Sequence, residues 1–152
     1  MALIDVGGSV RHGEELEVGK VDAWLRALLP QLSPGLPEVT QYSGGASNWT
    51  YRLKYASHDL ILRRPPAGTK AKSAHDMVRE YTVQDALKPV YPVVADMIGL
   101  CTDPSVIGCD FYVMRRLEGI IPRANLPKEL DLSETQVRQL CTNTLDQLIA
   151  LH

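Results

Sequence analysis

Cysteine is scarce in this sequence, and its charges nearly balance. The three cysteines, Cys101, Cys109 and Cys141, are odd in number and form no Cys-x-x-Cys or other metal-ligand spacing. This pattern argues against a disulfide framework and against a zinc site, and it favours reduced thiols. The net charge of −2 excludes a general attraction to nucleic acid or to anionic membranes. Any anion-binding site must therefore be local.

Long hydrophobic runs are absent as well. No segment approaches the ~18 apolar residues that a membrane helix needs. The N-terminus also lacks the cationic and apolar stretches of a secretion signal. The 152 residues, 45% of them hydrophobic and 22% charged, are typical of one soluble globular domain. We expect a cytoplasmic protein.

The main feature of the sequence is a glycine pair in a small polar segment, residues 43–48, between two candidate strands. Residues 49–55 alternate apolar and polar side chains like a half-buried strand, and residues 38–42 form a weaker candidate. No helix follows the glycines, which disfavours a Rossmann turn, and no Gly-Lys-Ser/Thr follows them, which disfavours a P-loop. Two interpretations remain: an ordinary turn that needs positive φ, or a flap whose N–H groups approach a phosphate.

The other periodicities predict an α+β fold. Strands are predicted at residues 60–63, 93–100 and 111–117, and an amphipathic helix that packs beneath the sheet begins at about Val21. Two more helices are predicted, one over residues 73–88 capped by Ser73, and one that begins with a Ser133–Gln136 capping box. Residues 1–17 carry three glycines and are expected to be loosely packed. We therefore predict a twisted antiparallel sheet of about five strands, with helix 73–88 against it and the final helix apart.

Two groups of charged residues stand out. Glu80 lies on the apolar stripe of helix 73–88, where a carboxylate needs a partner, and either Arg63 or Arg64 at the end of the preceding strand could supply it. Such a pair could also be purely structural. Lys70 and Lys72 lie in a basic stretch without acidic residues, which is either an anion-binding loop or a solvated one.

Four motifs follow one another in a characteristic order. They are Ser43-Gly44-Gly45-Ala46-Ser47-Asn48, Leu60-Ile61-Leu62-Arg63-Arg64-Pro65-Pro66, Ser73-Ala74-His75-Asp76 with Arg79-Glu80-Tyr81, and Asp103-Pro104-Ser105-Val106-Ile107-Gly108 with Phe111-Tyr112-Val113-Met114-Arg115-Arg116-Leu117-Glu118-Gly119. Over about residues 16–152 the chain resembles the aminoglycoside phosphotransferase family, in particular the branch found fused to or beside acyl-CoA dehydrogenases. The resemblance implies a protein-kinase-like fold. Residues 18–117 would form its N-terminal lobe, preceded by a flexible segment, 1–17, and residues 118–152 would form the hinge, a connector and the first C-terminal-lobe helix.

The resemblance also implies a site for ATP. Its parts would be a flap over the phosphates, a phosphate-orienting cation with its acidic partner, and a hinge in which Met114 lies behind the adenine and backbone groups of 115–117 bind its edge. In that order, the implied cofactor-binding residues are Gly44, Gly45, Ala46, Ser47 and Asn48, then Arg63 and Glu80, then Met114, Arg115 and Leu117. The family commonly has Lys where this chain has Arg63, and the planar guanidinium of Arg differs from the point charge of Lys.

The catalytic loop of the family does not occur in the sequence. No His-Gly-Asp-x-x-x-x-Asn motif is present, so the resemblance implies no catalytic residue in this chain and places the Mg²⁺ ligands outside it. The final helix keeps its apolar spacing to the last residue without a stop signal, which we interpret as a truncation. Its apolar face, residues 133–151, is expected to bind a second copy.

Two hypotheses about function remain. The first is the nucleotide-binding N-terminal part of an ATP-dependent small-molecule phosphotransferase, a kinase that acts on a hydroxyl acceptor and is inactive as these residues alone. The second is a kinase-like module that binds nucleotide or a protein partner without chemistry. Neither nucleic acid nor membrane is an expected partner.

Overall fold

The computed structural model describes residues 4–5, 7–43, 48–68, 76–122 and 124–152. The chain divides into two compact units, one spanning residues 6–117 and the other combining residues 118–152 with the first five. The larger unit contains the whole sheet and the candidate site. The domain boundaries inferred from the resemblance stay a prediction.

The larger unit is built on a five-stranded antiparallel sheet in the order β1-β2-β3-β5-β4. The strands are β1 (Glu38–Gln41), β2 (Trp49–Lys54), β3 (Asp59–Arg64), β4 (Met97–Cys101) and β5 (Phe111–Arg115). The helices of this unit are α1 (Val18–Leu28), α2 (Met77–Leu87) and α3 (Pro104–Ile107). The predicted α+β class and the five antiparallel strands are confirmed.

One face of the sheet forms the hydrophobic core with α1. Tyr51 and Leu53 of β2 are fully buried, as the alternation in the sequence predicts, and Phe111 of β5 packs edge-on against Trp24 of α1 at a centroid distance of 5.0 Å. Side chains of adjacent strand residues point to opposite faces. The residues between the core positions therefore line the other face of the sheet, the one that carries the site.

Helix α2 begins later than predicted. Asp76 is its N-cap and accepts a hydrogen bond from the N–H of Arg79, so the helix begins at Met77 and not at Ser73. Ser73 itself lies outside the described residues. The helix ends at Leu87 and packs against β4 and β5.

The β4–β5 region also differs in its limits. The strand predicted over residues 93–100 is Met97–Cys101, and the one predicted over 111–117 ends at Arg115. Between them, the predicted turn is the single-turn helix α3, capped by the Asp103 side chain at its start and closed by Gly108 at φ 80°. In β4, Gly99 allows α1 to approach closely, because a Cβ at this position would lie 2.6 Å from Cδ1 of Leu28.

The segment before α1 is more closely held than the sequence predicted. Gly8 forms an antiparallel bridge with Gln41 at the edge of the sheet, and Val10 and Leu16 pack against the hydrophobic core. Gly8 of this segment therefore serves backbone pairing. The expectation of loose packing is therefore corrected for residues 7–17.

The second unit contains a 3-10 helix (Lys128–Leu130) and the helix α4 (Glu134–Leu151). The predicted capping box is present, with Ser133 and Gln136 exchanging side-chain and backbone hydrogen bonds. Leu145, Leu148 and Ile149 on this helix are exposed. Association of two copies through residues 133–151 stays a prediction. Over the described ranges, no helix is both long and apolar enough to cross a membrane.

Candidate functional site

The centre of the site is an ion pair between a strand and a helix. Arg63 of β3 lies 3.4 Å, Nη1 to Oε2, from Glu80 of α2. Arg64, the other candidate partner, points to the opposite face of β3, because neighbouring strand residues alternate. The structure therefore assigns the predicted pair to Arg63.

Tyr112 and Gln84 extend this ion pair into a network. Tyr112 lies directly across from Arg63 in the β3–β5 register; its hydroxyl donates to Glu80 Oε2 at 3.0 Å and accepts from Arg63 Nη1 at 3.2 Å. Gln84, one turn along α2, donates to the same hydroxyl at 3.3 Å. Burial is the main cause that raises the pKa of Tyr112, so the phenol stays protonated and can donate to the carboxylate.

Asn48 joins the network from the end of the predicted glycine loop. Asn48 as a whole is 4% exposed, and its Nδ2 donates to Glu80 Oε1 at 2.8 Å. Glu80 therefore accepts from the loop on one oxygen and faces Arg63 and Tyr112 with the other. This carboxylate ties the loop, the sheet and α2 together.

The Arg63 guanidinium also has an unsatisfied donor. Its Nε is buried and, among the described residues, has no hydrogen-bond partner. Beside it lies an open cleft of about 400 Å³, lined by Arg63, Arg79, Glu80, Val83 and Gln84. Buried donors in proteins nearly always have a partner, so this guanidinium is not fully satisfied within the described residues. A cleft lined by two arginines fits an oxyanion.

The predicted hinge residues follow along β5. Met114 pairs with Ile61 of β3 in the register, Arg115 ends the strand, and Leu117 is exposed. The N–H of Arg115 donates to the Asp96 carbonyl at 2.8 Å. That N–H is therefore already bound within the protein.

A second charged network adjoins this hinge, and the sequence did not predict it. Asp59 accepts two hydrogen bonds from Arg52, at 2.8 and 2.6 Å, and lies 3.4 Å from Nη1 of Arg116. Arg116 donates from Nε to the hydroxyl of Tyr42 at 3.2 Å, and its backbone N–H donates to the Asp59 carbonyl at 2.9 Å. The hinge is thus connected to the residue that precedes the glycine loop.

We expect Asp59 to make stability pH-dependent. The hydrogen bonds from Arg52, and then the charges of Arg52 and Arg116, hold the pKa of this carboxyl below its usual range. A depressed carboxyl pKa stabilises the fold above the unfolded value of about 4, and this stabilisation disappears as the pH falls through the folded pKa. Urea unfolding between pH 6 and pH 2 should show a difference between wild type and Asp59→Asn that is full at pH 6 and shrinks below about pH 4.

Asp146→Asn, on the exposed surface of α4, serves as the control for this measurement. It should follow the wild-type curve throughout. A stability difference between wild type and Asp59→Asn that stays constant with pH would contradict the assignment of the shifted pKa to Asp59.

Some predicted site residues fall outside the part of the chain that the structure describes. Gly44, Gly45, Ala46 and Ser47 lie outside the described residues, and so do Lys70 and Lys72 of the basic stretch. In the described parts of the chain, no three His, Cys, Asp or Glu side chains form a group that could hold a metal ion.

Tyr112 and Gln84 were missed because each was assigned only to an apolar pattern. Tyr112 belongs to a buried strand, and Gln84 to the stripe of α2 that also carries Glu80. The signal that could have found them is a polar group, the hydroxyl of Tyr112 or the amide of Gln84, on the same face of the sheet or helix as the ion pair. Recognising it requires the strand register, which the sequence alone does not provide.

The antiparallel sheet, the packed helix and the Arg63–Glu80 pair agree with a kinase-like fold. Residues 38–152 match the family described as "Phosphotransferase enzyme family", and the chain belongs to this family. A crystal structure of a candidate aminoglycoside phosphotransferase from Ralstonia eutropha JMP134 superposes with a TM-score of 0.58 and 30% identity, over 75% of this chain and 31% of that one.

Curated relatives carry the acyl-CoA dehydrogenase name. The chain is 37% identical to acyl-CoA dehydrogenase family member 11 of Gallus gallus over 97% of its own length and 19% of the relative's. It is 39% identical to family member 10 of Mus musculus over 74% of its own length and 10% of the relative's. The predicted family and branch are confirmed, and the chain spans a fifth or less of these relatives.

Proposed function

We propose that this chain is the nucleotide-binding N-terminal part of an ATP-dependent phosphotransferase that acts on a hydroxyl group of a small molecule. The observation that carries the proposal is the network in which Glu80 joins Arg63, Tyr112 and Asn48. It connects the predicted phosphate flap to a fixed cation on the sheet, which is the arrangement needed to orient a polyphosphate.

Arg63 would contact the ATP phosphates. Its side chain is 31% exposed and lines a cleft that also contains Arg79. A guanidinium presents several donors in one plane and suits bidentate contact with phosphate oxygens. Glu80 and Tyr112 would hold that plane in a fixed orientation, and Gly44, Gly45, Ala46, Ser47 and Asn48 would cover the phosphates from the flap.

The adenine would lie against the hinge, with Met114 behind it. The N–H of Arg115 is bound to Asp96, and that of Arg116 is bound to Asp59. The Arg115 carbonyl and the backbone of Leu117 are therefore the proposed contacts for the adenine edge. The resemblance implied that backbone groups throughout residues 115–117 bind the adenine. Fewer groups are proposed here, because two of the N–H groups are already bound within the protein.

The Mg²⁺ ligands and the catalytic aspartates would lie outside this chain, because the sequence contains no His-Gly-Asp loop. When bound, the metal would neutralise the negative charge of the phosphates. The chain's own contribution would be to bind and orient ATP. We further propose a cytoplasmic protein whose acceptor is a hydroxyl on an acyl-CoA-related compound, because of the names of the relatives.

The alternative is a kinase-like module that binds nucleotide or a protein partner without chemistry. Arg63 favours it, because this residue replaces the family's common Lys. The Asn48–Glu80 hydrogen bond favours the enzyme, since it links the flap to the ion pair. The two hypotheses differ in whether a longer form of the protein transfers phosphate.

Titration calorimetry with ATP and Mg²⁺ on the purified 152-residue chain tests whether the chain binds nucleotide. We expect binding without turnover, because orientation of an acceptor and of metal requires groups that this sequence lacks. A coupled ATP-consumption assay on the same sample should stay at background. A form extended to include a His-Gly-Asp loop should transfer phosphate.

Each measurement has a result that counts against the proposal. Absence of ATP binding by the chain would remove the nucleotide site. Sustained metal-dependent ATP turnover by the 152 residues would contradict the view that they supply only binding. An extended form that binds ATP and transfers nothing would support the non-catalytic module.

A further inference from the structure

We propose that residues 7–17, here called the N-terminal strap, position the two strand ends that flank the glycine loop and so strengthen nucleotide binding. The nucleotide part of this inference rests on the proposed function. The family match begins at residue 38, so the strap lies outside the matched region. It acts through other residues, as a positioning element that does not touch the ligand.

The first strand end held by the strap is Gln41, the last residue of β1. Gly8 and Gln41 exchange backbone hydrogen bonds at 2.8 and 2.9 Å. The Gln41 side chain donates to Glu14 Oε2 at 2.5 Å and accepts from the N–H of Arg11 at 2.9 Å. Gln41 is only 3% exposed, and both of these side-chain hydrogen bonds lead into the strap.

The second strand end is Trp49, the first residue of β2. The guanidinium of Arg64 lies over the rings of Trp49 and Tyr51, 4.7 and 5.3 Å from their centroids. Arg64 also donates to the carbonyls of Glu14 and Glu15 at 2.9 and 3.3 Å. The strap thus holds Arg64 in the position from which it contacts Trp49.

Glu14 connects the two ends. Its side chain accepts from Gln41, and its carbonyl accepts from Arg64 and, at 2.6 Å, from the hydroxyl of Tyr51. Burial raises the pKa of Tyr51 and keeps this hydroxyl protonated as a donor. A single strap residue therefore fixes both boundaries of the segment 42–48.

This arrangement matters for the site because Trp49 directly follows Asn48, whose Nδ2 donates to Glu80. Fixing the backbone around Asn48 in advance lowers the conformational entropy that nucleotide binding must overcome. Loosening one end should therefore weaken nucleotide binding while the sheet stays folded. Most of the sheet's core is formed by β2, β3, β5 and α1 without the strap.

The decisive comparison is between Glu14→Ala and Glu14→Gln in the 152-residue chain. The alanine variant removes the acceptor for Gln41 and for Arg11, whereas the glutamine variant can still accept from Gln41. We expect the Kd for ATP with Mg²⁺ to rise about fivefold for Glu14→Ala and to stay near the wild-type value for Glu14→Gln.

Arg26→Ala is the matched control. Arg26 forms an ion pair with Asp22 and donates to the carbonyls of Ser33 and Gly35, which precede the opposite end of β1. It is a comparable side-chain clamp that does not contact the ends of the glycine loop. An equal loss of ATP affinity in Arg26→Ala, or an unchanged Kd in Glu14→Ala, would overturn the proposal.

A second measurement does not depend on nucleotide. The N–H of Tyr42 donates to the Thr50 carbonyl at 2.9 Å, so hydrogen exchange of this amide reports opening of the strand ends. Exchange should be about tenfold faster in Glu14→Ala than in wild type or Arg26→Ala. Unchanged exchange would overturn the positioning role of the strap, whatever the ATP affinity is. Faster exchange in a chain that binds no ATP would support that role and refute only the proposed function.

Gly7→Ala provides a second route to the same result. Gly7 has φ +75°, and a Cβ there would lie 3.0 Å from Thr40 Oγ1, so the substitution strains the start of the strap without removing any Glu14 contact. The same acceleration of Tyr42 exchange is expected. Exchange at the wild-type rate in Gly7→Ala would count against a role for the Gly8–Gln41 pairing.

Discussion

Replacing Phe111 by alanine is expected to lower the free energy of unfolding by about 3–5 kcal/mol. Phe111 is fully buried and contacts Trp24 edge-on, with an angle of 68° between the ring planes. Its removal leaves a cavity between β5 and α1 that the neighbouring side chains cannot close completely. Urea unfolding followed by far-ultraviolet circular dichroism measures this loss.

Phe111→Leu is the control, because it keeps most of the volume and should cost less than about 2 kcal/mol. Equal losses for the two variants would show that ring volume is not what stabilises this position. Since Tyr112 follows Phe111 and faces the site, the alanine variant should also disturb the Arg63–Glu80 network. The core and the site are thus coupled through one strand.

The strands could be predicted from the sequence because their chemistry is local. Tyr51 and Leu53 are buried and alternate with polar residues, which gives the period of a sheet with one covered face. The capping box at Ser133 is likewise contained within four residues. Features of this kind need no knowledge of distant parts of the chain.

The first and last residues of helices and strands were harder to predict, because neighbouring residues offer competing caps and strand ends. Ser73 and Asp76 are both suitable N-caps, three residues apart, and the structure uses Asp76. Residues 93–95 are apolar enough for a strand, yet β4 begins only at Met97. Sequence reveals which caps and strands are possible, and packing against the rest of the sheet decides between them.

The site was predictable in its charges and not in its geometry. Glu80 on an apolar stripe required a cation, but choosing between Arg63 and Arg64 depends on which face of β3 the helix α2 covers. Tyr112 entered the network because it lies opposite Arg63 across two strands that are distant in sequence. Register is a tertiary property, so no local pattern contains it.

The expected looseness of residues 7–17 was wrong for a related reason. Glycine content is a local signal for flexibility, whereas the bridge between Gly8 and Gln41 joins residues far apart in sequence. The carbonyl of Glu14 finds its donors in Tyr51 and Arg64 for the same reason. Segments with few apolar residues can be ordered by hydrogen bonds to a sheet edge, and composition does not reveal this.

Glu80→Ala should produce the largest functional loss among variants of the site. The change removes the acceptor for Asn48 and Tyr112 and leaves Arg63 without its counter-charge. Hydrogen bonds to charged groups contribute about 1.5–3 kcal/mol each, and side-chain exposures of 31% for Arg63 and 30% for Glu80 place the pair between surface and buried cases. We expect a loss of about 2 kcal/mol in unfolding free energy and an ATP affinity about tenfold lower, measured by urea unfolding and calorimetry.

A double-mutant cycle with Arg63→Met separates the ion pair from the remaining contacts. The coupling free energy between the two positions should be about 1 kcal/mol, because both charged groups are partly solvated and form one ion pair. Asp85→Ala, an exposed carboxylate on the same helix, controls for the loss of an acid from α2 and should leave ATP affinity unchanged. Glu80→Gln keeps an acceptor for Asn48 without the charge, so its ATP affinity should fall between wild type and Glu80→Ala. A coupling energy indistinguishable from zero would mean that Arg63 and Glu80 act independently, and the carboxylate's role would then reduce to holding Asn48 and Tyr112.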